Sequence, residues 1–111
     1  MTTLERLQAW YLMQCDGDWE HESGVTIGTL DNPGWSIDID VGGTTAAGRA
    51  FAPAKVERSP HDWLHATLSG NVVKIRCGPT NLEEALTLFL DWAGVPATTK
   101  PRGDDERGDT T

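Results

Sequence analysis

The sequence is poor in cysteine, poor in positive charge, and without any apolar run long enough to cross a bilayer. Two widely separated thiols, Cys15 and Cys77, have neither metal-site spacing nor the density of a secreted disulfide scaffold, so they read as reduced, inert groups. The first ten residues carry Glu5 and Arg6 within an amphipathic pattern. That pattern predicts neither a signal peptide nor a membrane span, and hence a cytoplasmic protein. No G-x-S-x-G, no H-E-x-x-H and no phosphate-binding glycine loop is present; Gly42-Gly43 lacks the lysine and helix such a loop requires. With 9 basic residues against 17 acidic ones the net charge is −8. A surface of that sign repels nucleic acid and anionic membranes, and it speeds encounter with a basic partner.

What is present fits one core. A chain of 111 residues with 38% hydrophobic residues and five tryptophans can bury a single core but not two. The reading is one domain over residues 1–94. The tail at 95–111, with two prolines, mixed charge and little apolar content, is expected to be disordered. Thr2 with Glu5 forms the signature of a capping box, and Leu4, Leu7, Tyr11 and Cys15 recur at helical spacing. A first helix is predicted over about residues 3–15. The polar run Asp16 to Ser23 has no apolar period and reads as a loop or irregular strand.

From Val25 the period falls to two. Val25, Ile27 and Thr29 share a face, Asp31-Asn32-Pro33-Gly34 turns the chain, and Trp35, Ile37, Ile39 and Val41 resume the alternation, with Ser36, Asp38 and Asp40 opposite. Residues 42–54 read as a small-residue loop with strand entry near Phe51. A third strand is expected near Lys55–Arg58, and a second hairpin joins Trp63–Leu68 to Val72–Cys77 around Ser69-Gly70-Asn71. Asn81 and Glu84 suggest another capping box before a second helix ending at Gly94. The predicted fold is therefore α+β: a two-layer domain with an antiparallel sheet of about five strands and two helices, N- and C-terminal, on one face.

Asp16, Asp18, Glu20 and Glu22, with His21 among them, concentrate carboxylates and an imidazole that could hold a hard metal ion or move protons. A calcium loop beginning at Asp16 would need glycine where His21 stands and a carboxylate where Ile27 stands. His61 and His65 have no third zinc ligand at diagnostic spacing. Neither cysteine is set up as a nucleophile, since Cys15 is followed by Asp16, whose charge works against a thiolate. The reading therefore assigns no cofactor, no metal and no catalytic residue. Trp19, set among carboxylates, is either an aromatic anchor in an acidic rim or a plug at the end of the core.

The stretch Trp10-Tyr11-Leu12-Met13-Gln14-Cys15-Asp16-Gly17-Asp18-Trp19-Glu20-His21, with Gly24-Val25 and Thr29-Leu30-Asp31-Asn32-Pro33-Gly34-Trp35, resembles the immunity protein 53 family of bacterial polymorphic-toxin systems. The similarity continues through Glu57-Arg58-Ser59, Asp62-Trp63, Asn81-Leu82-Glu83-Glu84 and Phe89 to Trp92, covering roughly residues 4–93. The resemblance implies a non-enzymatic protein that complexes a cognate toxin, encoded by a neighbouring gene, in the cytoplasm.

Many intracellular toxins are nucleases with basic clefts, so an acidic surface offers a phosphate mimic. Asp16, Asp18, Trp19, Glu20, His21 and Glu22 are the expected contact segment. Asp31, Asp38 and Asp40 are expected as a second acidic patch on the open sheet face. The competing readings are a small metal-binding protein or enzyme using the Asp16-Gly17-Asp18-Trp19-Glu20-His21 segment, and a domain in which these residues serve only folding and solubility.

Overall fold

A computed structural model describes residues 1–96, and the remainder of the expected tail lies outside the described residues. Three helices and five strands follow in the order α1 (Thr3–Gln14), α2 (Trp19–Glu22), β1 (Val25–Leu30), β2 (Gly34–Asp40), β3 (Ala54–Ser59), β4 (Asp62–Ser69), β5 (Val72–Cys77) and α3 (Leu82–Trp92). The sheet is antiparallel throughout, in the order β1-β2-β5-β4-β3. The α+β class, the five strands and the terminal helices agree with the sequence reading. The polar run differs, because its second half is wound into α2.

Period-two alternation sorts the sheet into two faces. On one, Ile37, Ile39, Leu64, Ala66, Val73, Ile75 and Cys77 are buried beneath Trp10 of α1 and Ala85, Leu86, Phe89 and Leu90 of α3. Phe89 meets the Trp10 indole edge-on at 4.9 Å, a favoured aromatic geometry. No helix among the described residues covers the other face. Its middle rows run Thr26–Asp38–Lys74–Thr67 and Ser36–Arg76–His65–Lys55 across the strands.

The helix ends follow their sequence signals unequally. The Thr2–Glu5 capping box is formed, each residue's side chain accepting the other's backbone N–H, at 3.1 and 2.8 Å. The Asn81–Glu84 box is not. Instead the Asn81 amide donates to Asp62 and Glu84, both at 2.9 Å, and its oxygen accepts from the Trp63 N–H. This buried side chain thus joins the start of α3 to the β3–β4 turn. At the other end of α3, Gly94 takes φ +83°. Val95 N–H then reaches Leu90 O and Gly94 N–H reaches Asp91 O, the paired bonds of a Schellman ending. Val95 and Pro96 were expected in the tail, yet both carbonyls accept hydrogen bonds from Arg6.

The face that α1 buries is only partly the one its apolar stripe marks, Leu7 alone of the two stripe leucines packing against the core. Arg6, Trp10 and Gln14 point inward, whereas Leu4 is 63% exposed and Tyr11 is also exposed. Trp10 supplies more buried area than any leucine on the helix, and Arg6 is drawn inward by the acceptors at the end of α3, so tertiary contacts outweigh the apolar stripe.

Two of the five tryptophans place their indole N–H on a backbone carbonyl: Trp35 donates to Pro79 O at 3.1 Å and Trp92 to Ala50 O at 2.8 Å. Among the described residues, the buried indole nitrogens of Trp10 and Trp19 meet no acceptor. The 42–54 loop is anchored by Ala46, which is fully buried, and by Phe51, whose ring stands on Trp92.

Candidate functional site

The acidic segment is shaped by its own carboxylates. After α1 ends at Cys15 the chain turns at Gly17, whose φ of +97° suits glycine. One Asp16 carboxylate oxygen accepts the N–H groups of Asp18 and Trp19, each at 2.9 Å. These two donors hold the Asp16 carboxyl below its usual pKa, the Trp19 N–H most strongly. From the far side, Glu20 reaches back to the N–H groups of Asp16 and Gly17 at 3.0 and 2.9 Å. The turn is thereby clasped from both directions, and the Asp18 and Trp19 N–H groups at the start of α2 are satisfied without Asp18 acting as a side-chain cap.

Two of the four carboxylates are therefore occupied in building the turn. Asp18, His21 and Glu22 are exposed, and among the described residues their side chains make no hydrogen bond within the chain. Trp19 is 8% exposed and packs edge-on against Trp10 and Tyr11, both at 5.9 Å. The exposed aromatic anchor considered from sequence gives way to the core plug. Its ring is turned inward because Asp16 fixes its backbone at the start of α2, beside the indole of Trp10.

A groove of about 670 Å³ opens between α1, α2 and the start of β1. Leu7, Gln8 and Tyr11 form one wall, His21 and Glu22 another, and Ser23 to Thr26 with Asp40 the floor. Asp40 closes the junction by accepting the Gly24 N–H at 2.8 Å while its own N–H bonds Gly24 O at 3.0 Å. The groove thus combines two carboxylates, an imidazole and a phenol over an apolar wall. It contains three of the residues singled out from sequence, His21, Glu22 and Asp40. It also contains Gln8 and Tyr11, which sequence reasoning missed; the one signal for Tyr11 is its place in the apolar stripe that marks the first helix.

Asp38 does not join them. It lies on the open face, paired with Arg76 at 3.0 Å and directly opposite Lys74. Lys55 and His65 lie in the neighbouring row, so Asp38 stands among basic side chains and apart from the acidic segment. Asp31 is exposed in the β1–β2 turn. On the open face His65 bonds Glu57 at 2.8 Å and stacks obliquely on Trp63. Cys77 is buried, and burial pushes its thiol pKa up, while the Cys15 thiol donates to Tyr11 O. Among the described residues no three histidine, cysteine, aspartate or glutamate side chains gather as a metal-holding group. No helix among them is long and apolar enough to cross a membrane.

Comparison with known families finds that the model for immunity protein 53 matches residues 4–94. No curated protein matches the chain, and no solved structure matches it.

Proposed function

Since the chain belongs to the immunity protein 53 family, whose general function is toxin neutralisation, we propose that it acts by stoichiometric occlusion, without catalysis, through the acidic groove between α1 and α2. The observation that carries this reading is the convergence of Glu22, Asp40 and His21 beside Tyr11 in that groove, with Asp18 exposed next to it. These groups present negative charge on a framework that needs no reorganisation, because Asp16 and Glu20 clasp the turn.

A basic toxin surface, such as the phosphate-holding cleft of a nuclease, is the complementary partner. The net charge of −8 steers that encounter and disfavours nucleic acid and anionic membranes as competitors. The toxin is encoded by a neighbouring gene and is met in the cytoplasm. The domain that does this spans residues 1–94, with the tail beyond it dispensable for capture apart from the residues that Arg6 holds.

Co-expression with the product of the adjacent open reading frame tests the proposal. Rescue of growth together with a co-purified one-to-one complex is the expected result. A neighbour that is toxic but neither bound nor neutralised refutes it. Loss of toxin by turnover, with no complex, would favour an enzymatic protein instead.

A further inference from the structure

The two edges of the sheet are built differently. At one, β3 carries Lys55, Glu57 and Arg58, is followed by Pro60, and breaks register between Glu57 and Ser59. Charge, proline and irregular register are devices that stop an edge from pairing with another strand. At the other, β1 reads Val25-Thr26-Ile27-Gly28-Thr29-Leu30, with no charge, no proline and an unbroken register against β2. Nothing among the described residues pairs with its outer side.

The direction of its free groups follows from the ladder. Gly24 and Asp40 form a hydrogen-bonded pair, so alternation makes Thr26–Asp38 and Gly28–Ser36 the bonded pairs and leaves the N–H and C=O of Val25, Ile27 and Thr29 pointing outward. The side chains beside these groups are also incompletely covered: Ile27 is 39% exposed and Thr29 is exposed. Val25 lies in the groove beside Tyr11 and Glu22.

We infer that β1 is the docking edge for an extended segment of the toxin, which adds to the sheet as a sixth strand. This deepens the occlusion reading and rests on it. The occupant is specified by charge. The strand itself is neutral, but its ends are acidic, with Glu22 and Asp40 at the groove and Asp31 in the turn. A segment with lysine or arginine flanking an alternating apolar core fits both ends. A second copy of this chain does not, because antiparallel pairing of two β1 strands about Ile27 sets the end bearing Glu22 against the end bearing Asp31, twice over. Backbone pairing would supply affinity, and the exposed Ile27 and the groove would select side chains.

The test uses Thr29→Pro. Proline there deletes an outward N–H and no bond of the β1–β2 ladder, and an exposed edge position tolerates it. Amide hydrogen exchange is followed on the wild-type chain alone and with the toxin domain from the neighbouring gene. Val25, Ile27 and Thr29 amides should become protected in the complex, and Thr29→Pro should weaken binding about tenfold, as expected for a lost bond that leaves its acceptor unpaired. Should the variant unfold, the exchange of the wild-type amides decides alone.

Binding with those three amides exchanging as in the free chain overturns the inference and leaves the occlusion reading standing. If the wild-type chain binds no such toxin, the occlusion reading falls. The edge is then tested with a synthetic lysine-flanked Val-Thr-Val-Thr-Val peptide: protection of the three amides upholds it as a strand acceptor, and their free exchange overturns it. A dimer of the chain alone, protected at these amides, would overturn the choice of occupant.

Discussion

Arg6, only 4% exposed, donates from its guanidinium to the carboxylate of Asp91 at 2.9 Å and so ties the first helix to the last. The same side chain bonds Val95 O and Pro96 O. One buried cation thus satisfies three acceptors at the end of α3, which also explains why α1 turns this face inward. Arginine's planar fork suits such a task better than a lysine ammonium.

Arg6→Ala should therefore lower stability by about 2–3 kcal/mol, since it removes packing and leaves carbonyls unpaired. Arg6→Lys should recover only part of that. Ending the chain after Gly94 should cost about 1–2 kcal/mol, whereas ending it after Pro96 should cost nothing measurable. Urea unfolding with a common slope checks all four. Equal stability of the two truncations would contradict the role given to Val95 and Pro96.

Trp19 is a packing residue, and its substitutions should rank accordingly. Trp19→Ala should cost about 3 kcal/mol or more by leaving a cavity against Trp10. Trp19→Phe should cost distinctly less, because the indole N–H has no acceptor to lose. A Trp19→Ala protein as stable as the parent but unable to bind toxin would restore the exposed-anchor reading.

The carboxylates of the acidic segment should divide into two classes. Asp18→Lys with Glu22→Lys should leave stability nearly unchanged and slow toxin association about tenfold at low salt, the difference shrinking as salt is added. Asp16→Asn should instead weaken the turn, whose Asp18 and Trp19 N–H groups it holds. Stopped-flow association across a salt series, with unfolding midpoints for each variant, separates the two. Rates insensitive to salt would remove the steering argument.

Acid should unfold the protein partly through Asp16 and Asp62. Backbone N–H groups of Trp19 and Asp18 hold the first below the usual carboxylate pKa, and hydrogen bonds from Arg58 and Asn81 do so for the second. A folded-state pKa below the unfolded one means stability that is complete above about pH 5, where the unfolded carboxyl is also ionised, and is lost as pH falls through the depressed folded value. Both groups are solvent-accessible, so each contribution is modest. Asp62→Asn should flatten the decline between about pH 5 and 3 in denaturation series, by a small amount. A steeper decline in the variant would reverse the assignment.

The hairpins were legible because their signals are local. Alternation of Trp35, Ile37, Ile39 and Val41 fixes which face of β2 is buried, and Asp31-Asn32-Pro33-Gly34 fixes where the chain reverses. A Cβ at Gly34 would run into the Cys77 carbonyl oxygen, so that turn glycine also answers to β5. The Thr2–Glu5 box was equally readable, since both partners lie in one turn of helix.

Where a side chain's partner is distant in sequence, local signals failed. Asn81 reaches beyond its helix to Asp62 and Trp63 as well as to Glu84, and Asp38, acidic in sequence, lies beside Arg76 and Lys74 of β5.

The amino-acid order by itself determined the α+β class and the strands and their faces, because each depends on neighbours within a few residues; the net charge and the resemblance to a family follow from composition and from motifs along the chain. Only the tertiary structure decided which carboxylates build the turn and which stay exposed, which edge of the sheet is left open among the described residues, and which side of α1 is inside. Those depend on what the chain brings together from far apart: Arg6 with Asp91, Trp19 with Trp10, and Asp40 with the groove beside Glu22.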